Sequence, residues 1–290
     1  MRVEKFKVEK KGKLISVIAS KFSNLSQNLI RSILKNKDIK VDGVRAKENV
    51  EVDVGQEITF FVKDNVVNVS YEIVFEDENI LIANKPQGIE TVSADGNDFL
   101  SALAKFKNQK LFAVHRLDRN TMGLVVFAKN LDAKSELDES FKKRTIHKRY
   151  LALVYGCGLK AEDEMIAYLK KDADKSLVFV SDKNGVGFEK IQTNYKVVEE
   201  YENSTLVDVE LITGKTHQIR AHFAHIGHFV IGDEKYGDSK INKLFHKKKQ
   251  CLCSYKLTLN FEDGLLSYLD RKDFELDKTK IDFVKNCKNK

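Results

Sequence analysis

The sequence predicts a protein of the α+β class, with helices beside a mostly antiparallel sheet. Most intervals between its predicted strands contain no helical pattern, so alternating βαβ units fit poorly. In the segment 205–212, apolar residues alternate with acidic ones, a pattern typical of a strand with one solvated face. We therefore expect the strands to form antiparallel meanders.

Length and composition allow a sizeable core and favour an anionic partner. The chain has 290 residues, of which 42% are hydrophobic, and a formal net charge of +7. This length suits one large domain, or a medium domain with a small one. The excess of lysine and arginine favours nucleic acid or a membrane surface as the partner.

Three features of the sequence argue against secretion, membrane insertion and zinc binding. The N-terminus lacks the apolar segment of a secretory signal, and no apolar run approaches the roughly 18 residues of a membrane span. None of the four cysteines forms a CxxC pair, which is a common spacing in structural zinc sites. We expect a cytoplasmic protein that holds no metal and keeps its thiols reduced.

The N-terminal part of the chain carries two helical patterns and several strand patterns. Leu14, Ile15, Ile18 and Phe22 repeat at helical spacing, and a second apolar stripe follows Ser26, a candidate N-cap. The predicted order is an edge strand within residues 1–10, a helix over 14–22, a helix after Ser26, a hairpin at 39–44 and a strand over 54–60.

This order of two helices and a hairpin resembles the S4 RNA-binding domain, in which the second helix and the hairpin present basic residues to structured RNA. The resemblance implies that the residues facing RNA are Gln27, Arg31, Lys35, Lys37 and Lys40. A small helical cap with an ordinary solvated face is the alternative interpretation of the same pattern.

The rest of the chain combines many strand patterns with a few helical ones. An acidic turn, Glu76–Asn79, separates two predicted strands within residues 73–85. The further predicted elements are a helix over 99–106 capped by Asn97 or Asp98, a strand over 124–128, a helix capped by Asn130 or Asp132, strands over 149–155, 177–180, 195–201 and 205–212, and a helix over 216–226.

The segment 115–124 stands out because it places two arginines, a histidine and an aspartate directly before an apolar strand. Charged groups at the mouth of a buried strand are costly to desolvate unless they are paired or used. Two interpretations compete. The segment is either a surface cluster of ion pairs, or an active-site loop in which Asp118 does chemistry and the arginines hold an anionic substrate.

Four short blocks favour the second interpretation. In chain order they are Asn84–Pro86 with Gly88; His115–Asp118 with Thr121 and Gly123–Leu124; Lys148, Tyr150–Ala152 and Gly156; and Gly214, Thr216–Arg220, His222, Ile226–His228, Gly232–Asp233 and Tyr236–Gly237. Through these blocks the chain resembles the RluA-type family of RNA pseudouridine synthases. The resemblance covers the chain from about residue 12 to Gly237.

The resemblance implies the fold and the division into domains. We expect a central, mostly antiparallel mixed sheet flanked by helices, as in the pseudouridine synthase fold. Residues 71–290 would form this catalytic domain, residues 63–70 a linker, and residues 1–62 the small S4-like RNA-binding domain. We expect a monomer.

The resemblance also implies an isomerase that converts uridine to pseudouridine in structured RNA. Large-subunit ribosomal RNA is the expected substrate, and transfer RNA is the alternative. The reaction changes no oxidation state and adds no group, so no cofactor is expected. A non-catalytic protein that binds RNA or assists ribosome assembly is the rival from another functional class.

The residues expected in the site follow from the chemistry and from the matching positions. The reaction breaks the C1′–N1 bond and joins C1′ to C5, so it needs a carboxylate near C1′ or the 2′ position, as nucleophile or as base. Asp118 takes that role, and Arg220 matches the family arginine that pairs with it and favours its charged form. Tyr150 matches the residue that stacks on the flipped base, and its hydroxyl is also a candidate for taking part in the loss of the C5 proton.

The resemblance further implies a set of RNA contacts. A uridine inside folded RNA must be flipped out, and Arg116 matches the residue that fills the vacancy. The other expected RNA-binding residues are His115, Arg119, Lys85, Lys215, His217, Arg31, Lys35 and Lys37. Two ordinary alternatives stay open, namely Tyr150 as a core residue of an apolar strand and Arg220 as a solvated charge.

Overall fold

The fold is taken from a computed structural model that describes residues 2–22, 25, 27–62, 72–94, 96–172 and 176–287. The chain divides into two compact units: Met1–Tyr71 with Ile89–Ala113, and Glu72–Gly88 with Val114–Lys290. The predicted linker at 63–70 and the candidate cap Ser26 lie outside the described residues.

The elements follow one another as a strand-rich chain. In residues 2–113 they are β1 (Arg2–Lys7), β2 (Gly12–Lys13), α1 (Leu14–Lys21), α2 (Gln27–Lys35), β3 (Ile39–Val41), β4 (Val44–Arg45), β5 (Glu51–Val52), β6 (Glu57–Val62), β7 (Glu72–Glu76), β8 (Ile80–Lys85), α3 (Phe99–Lys107) and β9 (Phe112–Ala113).

The later part of the chain contains the longer strands. Its elements are β10 (Met122–Ala128), α4 (Leu131–Lys143), β11 (His147–Tyr155), β12 (Glu162–Asp172), β13 (Leu177–Ser181), β14 (Glu189–Tyr201), β15 (Ser204–Leu211), α5 (Gln218–His225), α6 (Ser239–Leu244), β16 (Leu252–Leu259), β17 (Lys272–Glu275) and α7 (Asp282–Cys287). Short 3₁₀ turns at Ser267–Leu269 and Lys278–Lys280 accompany the last strand.

The first unit is a small sheet covered by helices. Its antiparallel strands follow the order β1–β6–β3–β4, and β2 pairs with β5. Apolar side chains of α1, α2 and the sheet meet in one core, where Phe22 lies edge-to-face against Phe6 at 5.5 Å and Phe60 at 5.1 Å between ring centroids. The predicted helices, hairpin and edge strand are therefore confirmed, although β6 begins at Glu57 because Gly55 turns with φ +90°.

The grouping into units differs from the predicted domains in one segment. Residues 89–113 belong to the first unit, whereas the sequence assigned them to the domain 71–290. The side chain of Lys105 explains part of this, since its Nζ donates to the carbonyl oxygen of Leu25 at 2.9 Å. The boundary between residues 1–62 and 71–290 stays a prediction.

The second unit is built on a large mixed sheet. Its strand order is β13–β12–β14–β15–β11–β16–β10–β8–β7, with β17 paired to β16. These neighbours are antiparallel, except that β10 and β16 run parallel. The expected α+β class and the mostly antiparallel mixed sheet are confirmed.

Strand β10, which follows the segment 115–124, is buried because its sequence is continuously apolar. Leu124–Ala128 of β10 is fully buried, as strands covered on both faces are. The following helix, α4, begins at Asn130, whose side chain accepts a hydrogen bond from the Ala133 amide. Asn130 rather than Asp132 is therefore the cap, and it lies two residues after β10 ends at Ala128.

Helix α5 begins two residues later than the predicted start at residue 216. His217 adopts the left-handed conformation with φ +55°, so the helix starts at Gln218.

Strands β12, β16 and β17 were not predicted. No helix in the described part of the chain has both the length and the apolar character needed to cross a membrane.

Gly123 is required where β10 meets β16. Its φ is +117°, and a Cβ atom added there would lie 2.2 Å from the Ser254 carbonyl oxygen. Backbone is hard to displace, so a side chain would force the two parallel strands apart. We expect Gly123→Ala to lower the free energy of unfolding by at least about 3 kcal/mol, measured by urea denaturation.

Gly158→Ala is the matched control for this prediction. Gly158 also has positive φ, +81°, but a Cβ atom there would meet nothing within 4 Å. Its substitution should cost only the backbone strain of about 1–2 kcal/mol. Equal losses in the two variants would contradict the close approach of β10 and β16.

Candidate active site

The candidate site is a cavity of about 420 Å³ in the second unit. The loop before β10, strand β11 and the start of α5 contribute its walls. The side chains that line it and bear on its chemistry are Asp118, Tyr150, Arg220, Arg116, Lys148 and His217. The structure thus brings together the three residues expected to be catalytic.

Asp118 and Arg220 form an ion pair at the floor of the cavity. Arg220 Nη1 donates to Asp118 Oδ2 at 2.8 Å. The other edge of the guanidinium is held by Asp233, with Nε donating to Oδ2 at 2.6 Å and Nη2 to Oδ1 at 2.9 Å. Arg220 is therefore a buried charge shared by two carboxylates, not a solvated one.

The two carboxylates differ in access. The side chain of Asp233 is 0% exposed, whereas that of Asp118 is 23% exposed. Among the described residues, no further hydrogen bond occupies Asp118 Oδ1, so one oxygen of this group faces the cavity. Asp233 thus fixes the arginine, and Asp118 is the carboxylate that a substrate can reach.

The charge of Arg220 is secure despite its burial. Burial opposes the charged form, but hydrogen bonds and charge from Asp233, followed by those of Asp118, raise the pKa of Arg220 above its ordinary value. The Tyr236 ring lies 5.2 Å from the guanidinium carbon, which adds a cation–π contact. Arg220 therefore presents a lasting positive charge to Asp118 through the hydrogen bond from Nη1.

Tyr150 lies on β11 opposite Ser254 of β16 and Val209 of β15. It is 5% exposed, yet it lines the cavity. Burial is the main cause that raises the pKa of Tyr150; the nearby Ser254 hydroxyl lowers it, and the charge of Asp118 raises it further. The phenol therefore stays protonated at neutral pH, so it can stack or donate a hydrogen bond.

The loop that carries Asp118 is attached at several points. The Thr121 amide donates to the Asp118 carbonyl oxygen at 3.0 Å, which closes a turn. Gln250 Nε2 donates to Thr121 Oγ1 at 2.5 Å, and the Gln250 carbonyl oxygen accepts from Gln87 Nε2 at 2.6 Å. These bonds tie the loop to the segments on either side of it.

His115 supports the loop from within. The Val126 amide donates to its Nε2 at 3.0 Å, and its ring stacks on Phe141 at 4.6 Å between centroids. Burial, followed by the charge of Lys148, lowers the pKa of His115 to about 3. The imidazole is thus neutral, and because Nε2 accepts a hydrogen bond, the proton must sit on Nδ1.

We expect the neutral state of His115 to make the protein acid-sensitive. Its pKa falls from an ordinary 6.5 to about 3 on folding, and that of the buried His222 falls to about 4. The unfolded chain therefore binds more protons below pH 6.5, so stability is lost as the pH drops from there towards about 4. Each histidine contributes a slope of up to about 1.4 kcal/mol per pH unit.

Urea denaturation of His115→Asn between pH 4 and pH 7.5 tests this expectation. The variant should be less stable at neutral pH but should lose less stability on acidification than the wild type. His246→Gln, at an exposed position, is the control and should keep the wild-type slope. An unchanged slope in His115→Asn would show that this imidazole does not titrate on unfolding.

Lys85 was predicted to bind RNA, and its placement corrects that prediction. Its side chain is 0% exposed, and its Nζ donates to the carbonyl oxygens of Pro86 at 2.9 Å and Arg119 at 3.3 Å. Arg119 in turn donates from Nε to the Gly88 carbonyl oxygen at 3.1 Å. Lys85 thus holds the loop through its backbone, and only Arg119 keeps an exposed side chain.

The other predicted RNA contacts on this unit lie around the cavity. Lys215 Nζ pairs with Glu189, and His217 Nδ1 lies 2.8 Å from the Tyr236 hydroxyl oxygen. Arg116 is exposed, and no hydrogen bond or ion pair holds its guanidinium among the described residues. Arg31, Lys35 and Lys37 belong to the first unit, on or just after α2.

Sequence reasoning missed the role of Asp233. The residue was matched within the last block, in Gly232–Asp233, but no function was assigned to it. The available signal was its place in a block that also holds Arg220. Within the described residues, no group of three or more His, Cys, Asp or Glu side chains is placed to hold a metal ion.

Comparison with known proteins relates this site to a family. The family model described as RNA pseudouridylate synthase matches residues 79–225. The chain is 31% identical over 246 residues to ribosomal large subunit pseudouridine synthase C of Vibrio cholerae, which covers 78% of this chain and 76% of that protein. It is also 31% identical over 243 residues to ribosomal large subunit pseudouridine synthase D of Haemophilus ducreyi, and the match covers 78% of this chain and 73% of that protein.

Solved structures agree on the fold. The human protein RNA Pseudouridylate Synthase Domain Containing 1 matches 76% of this chain and 96% of its own with a TM-score of 0.59 and 21% identity. The human protein RNA Pseudouridylate Synthase Domain Containing 4 matches 71% of this chain and 88% of its own with a TM-score of 0.58 and 23% identity. The resemblance to the RluA-type family is thereby confirmed: the chain belongs to the RNA pseudouridylate synthase family and is an isomerase that acts on RNA.

Proposed function

We propose that this enzyme isomerises specific uridines of large-subunit ribosomal RNA and that Asp118, Tyr150 and Arg220 are its catalytic residues. The observation that carries the proposal is the Asp118–Arg220 pair, which presents one free carboxylate oxygen beside Tyr150 in a cavity. The substrate is suggested by relatives named as ribosomal large subunit pseudouridine synthases.

Asp118 starts the reaction as nucleophile at C1′ or as base at the 2′ position. In either case the C1′–N1 bond breaks with its electron pair on the uracil ring, and the ring turns. C5 then bonds to C1′ as the Asp118–C1′ bond breaks or as Asp118 returns the proton to the 2′ position. C5 then loses its proton, and N1 gains one. Burial raises the pKa of Tyr150, which disfavours the phenolate that would have to accept the C5 proton. Asp118, once released from its first role, is the carboxylate in the cavity that can take it.

Arg220 and Tyr150 serve this chemistry without changing covalently. Arg220 holds Asp118 by an ion pair and supplies a positive charge beside it while RNA closes over the cavity. Tyr150 supplies a flat surface for the flipped pyrimidine, and stacking of a base on an aromatic ring contributes about 1–3 kcal/mol. The unpaired guanidinium of Arg116 suits insertion at the position that the base leaves.

The basic residues supply affinity for folded RNA. In the first unit, Arg31, Lys35 and Lys37 form the RNA-binding face of an S4-like domain over residues 1–62. Phosphate contacts release counterions, so binding should weaken steeply with salt. We further propose that the enzyme acts as a monomer in the cytoplasm without a cofactor, and that Lys215 and His217 contact RNA at the rim of the cavity.

Mapping pseudouridines in cellular RNA before and after deletion of the gene tests the substrate. Loss of one or more sites from large-subunit ribosomal RNA, restored by the wild-type gene but not by Asp118→Asn, is the expected result. Loss from transfer RNA alone would move the activity to that substrate. An unchanged map, together with no product on any cellular RNA in vitro, would leave only a binding role.

A further inference from the structure

Two cations, Lys148 and Arg144, line the cavity that also holds Asp118. Lys148 lies on β11 and Arg144 ends α4, and both line the cavity. Among the described residues, no carboxylate forms an ion pair with either side chain. Burial, followed by the charge of Arg144, lowers the pKa of Lys148. Lys148 is half-buried and Arg144 is exposed, and like charges close together cost free energy unless a ligand compensates them.

The fold keeps Lys148 in this place. Its Nζ lies 5.6 Å from the centroid of the Phe141 ring, a cation–π contact. The same ring stacks on His115, which the Val126 amide fixes. On another side it lies against Gly214, where an added Cβ atom would meet Nζ at 3.5 Å. Packing thus holds the ammonium group at the wall of the cavity, where a ligand in the cavity can reach it.

The spacing between Lys148 and Tyr150 fits a nucleotide. The two residues are two positions apart on one strand, so their side chains project from the same face, about 7 Å apart along the strand. Both line the cavity. A pyrimidine stacked on Tyr150, with its ribose at Asp118, leaves the backbone of the RNA to pass beside Lys148.

We propose that Lys148 and Arg144 bind the phosphodiester group adjacent to the target uridine and so position its ribose against Asp118. The inference rests on the proposed function and adds a binding site to it. A full negative charge relieves the repulsion between the two cations, whereas a uracil carbonyl would engage only one of them. Lys148 is thus a positioning residue, because it acts on the substrate backbone and not on the bonds that change.

The first test uses the full chain and an RNA hairpin that contains the uridine mapped above. With Lys148→Gln we expect KM to rise about tenfold or more at 0.15 M salt, as for the loss of a charge-assisted contact. The slope of log(1/KM) against log[KCl] should become shallower by about 0.7–0.9, the value for one phosphate. Lys148→Arg should restore the slope, and Lys171→Gln, on an exposed lysine outside the cavity, should keep it.

Thermal unfolding of the same variants separates binding from a structural role. Removing one of two neighbouring cations relieves repulsion, so Lys148→Gln should keep or raise Tm while it weakens substrate binding. A clear loss of Tm together with an unchanged salt slope would overturn the proposal, because it would make Lys148 a packing residue.

The second test removes the charge from the RNA. Hairpins with a methylphosphonate 5′ or 3′ of the target uridine should lose affinity for the wild type at one of the two positions. On that neutral hairpin, Lys148→Gln should bind no more weakly than the wild type. If the substitution weakened binding by the same factor on the native and on the neutral hairpin, the phosphate site would be overturned. Failure of the wild type to modify the native hairpin would instead overturn the proposed function, and the inference with it.

Discussion

Replacing Asp118 by asparagine should abolish pseudouridine formation while leaving RNA binding intact. Asparagine keeps the size of the side chain and can still accept the hydrogen bond from Arg220 Nη1. It cannot attack C1′ or take a proton. Loss of a group that reacts in this way typically lowers turnover by about 10³-fold to 10⁶-fold. Single-turnover assays with tritiated uridine in large-subunit ribosomal RNA measure the loss.

Affinity provides the internal control for this variant. The carboxylate repels phosphate, so Asp118→Asn should bind RNA at least as tightly as the wild type in a filter-binding assay. Asp263→Asn removes an exposed carboxylate far along the chain and should change neither quantity. Turnover by Asp118→Asn within tenfold of the wild type would place the reacting group elsewhere.

Replacing Arg220 by methionine should damage both stability and catalysis. The variant leaves Asp233, with a side chain that is 0% exposed, without its counter-charge. Breaking a buried pair by removing one partner costs about 3–5 kcal/mol, which urea denaturation can measure. Turnover should fall by at least about 10²-fold, the loss typical of one electrostatic partner in an active site.

A second substitution separates these two effects. Asp233→Asn in the Arg220→Met background removes the unpaired buried charge, and the asparagine Oδ1 can still accept from the amides of Lys235 and Tyr236. Most of the stability should return, but turnover should not. If turnover returned as well, Arg220 would serve the fold alone. Full stability in the single variant would contradict the shared ion pair.

The sequence predicted the locally encoded parts of the fold well. Helices α1, α3 and α4 were found because their apolar stripes, and for α3 and α4 also their capping residues, lie within one segment. Strand β16 was missed, although it lies at the centre of the large sheet. The residues of β10 and β11 that pair with it lie 100 or more positions earlier in the chain. No local pattern encodes such a pairing, nor the parallel contact of Gly123 with Ser254.

In the candidate site, too, the residues marked by local motifs were predicted, whereas the roles that depend on distant contacts were not. Asp118, Tyr150 and Arg220 were chosen from motifs, and the structure brings them to one cavity. Asp233 went unassigned because its role depends on a hydrogen bond to a helix formed earlier in the chain. Lys85 was taken for a surface cation because its burial follows from the packing of two loops. Residue type indicates chemistry, whereas access and partners depend on tertiary contacts.

The position of β16 has a consequence for how the enzyme is made. This strand separates β10, next to the loop of Asp118, from β11, which carries Tyr150. The ribosome synthesises the segments of Asp118 and Tyr150 long before it synthesises β16, the strand that sets their spacing. Pairings between strands that are so far apart in the chain form late in folding. A growing chain therefore lacks a working site until β16 has been synthesised, and modification of RNA begins only after that.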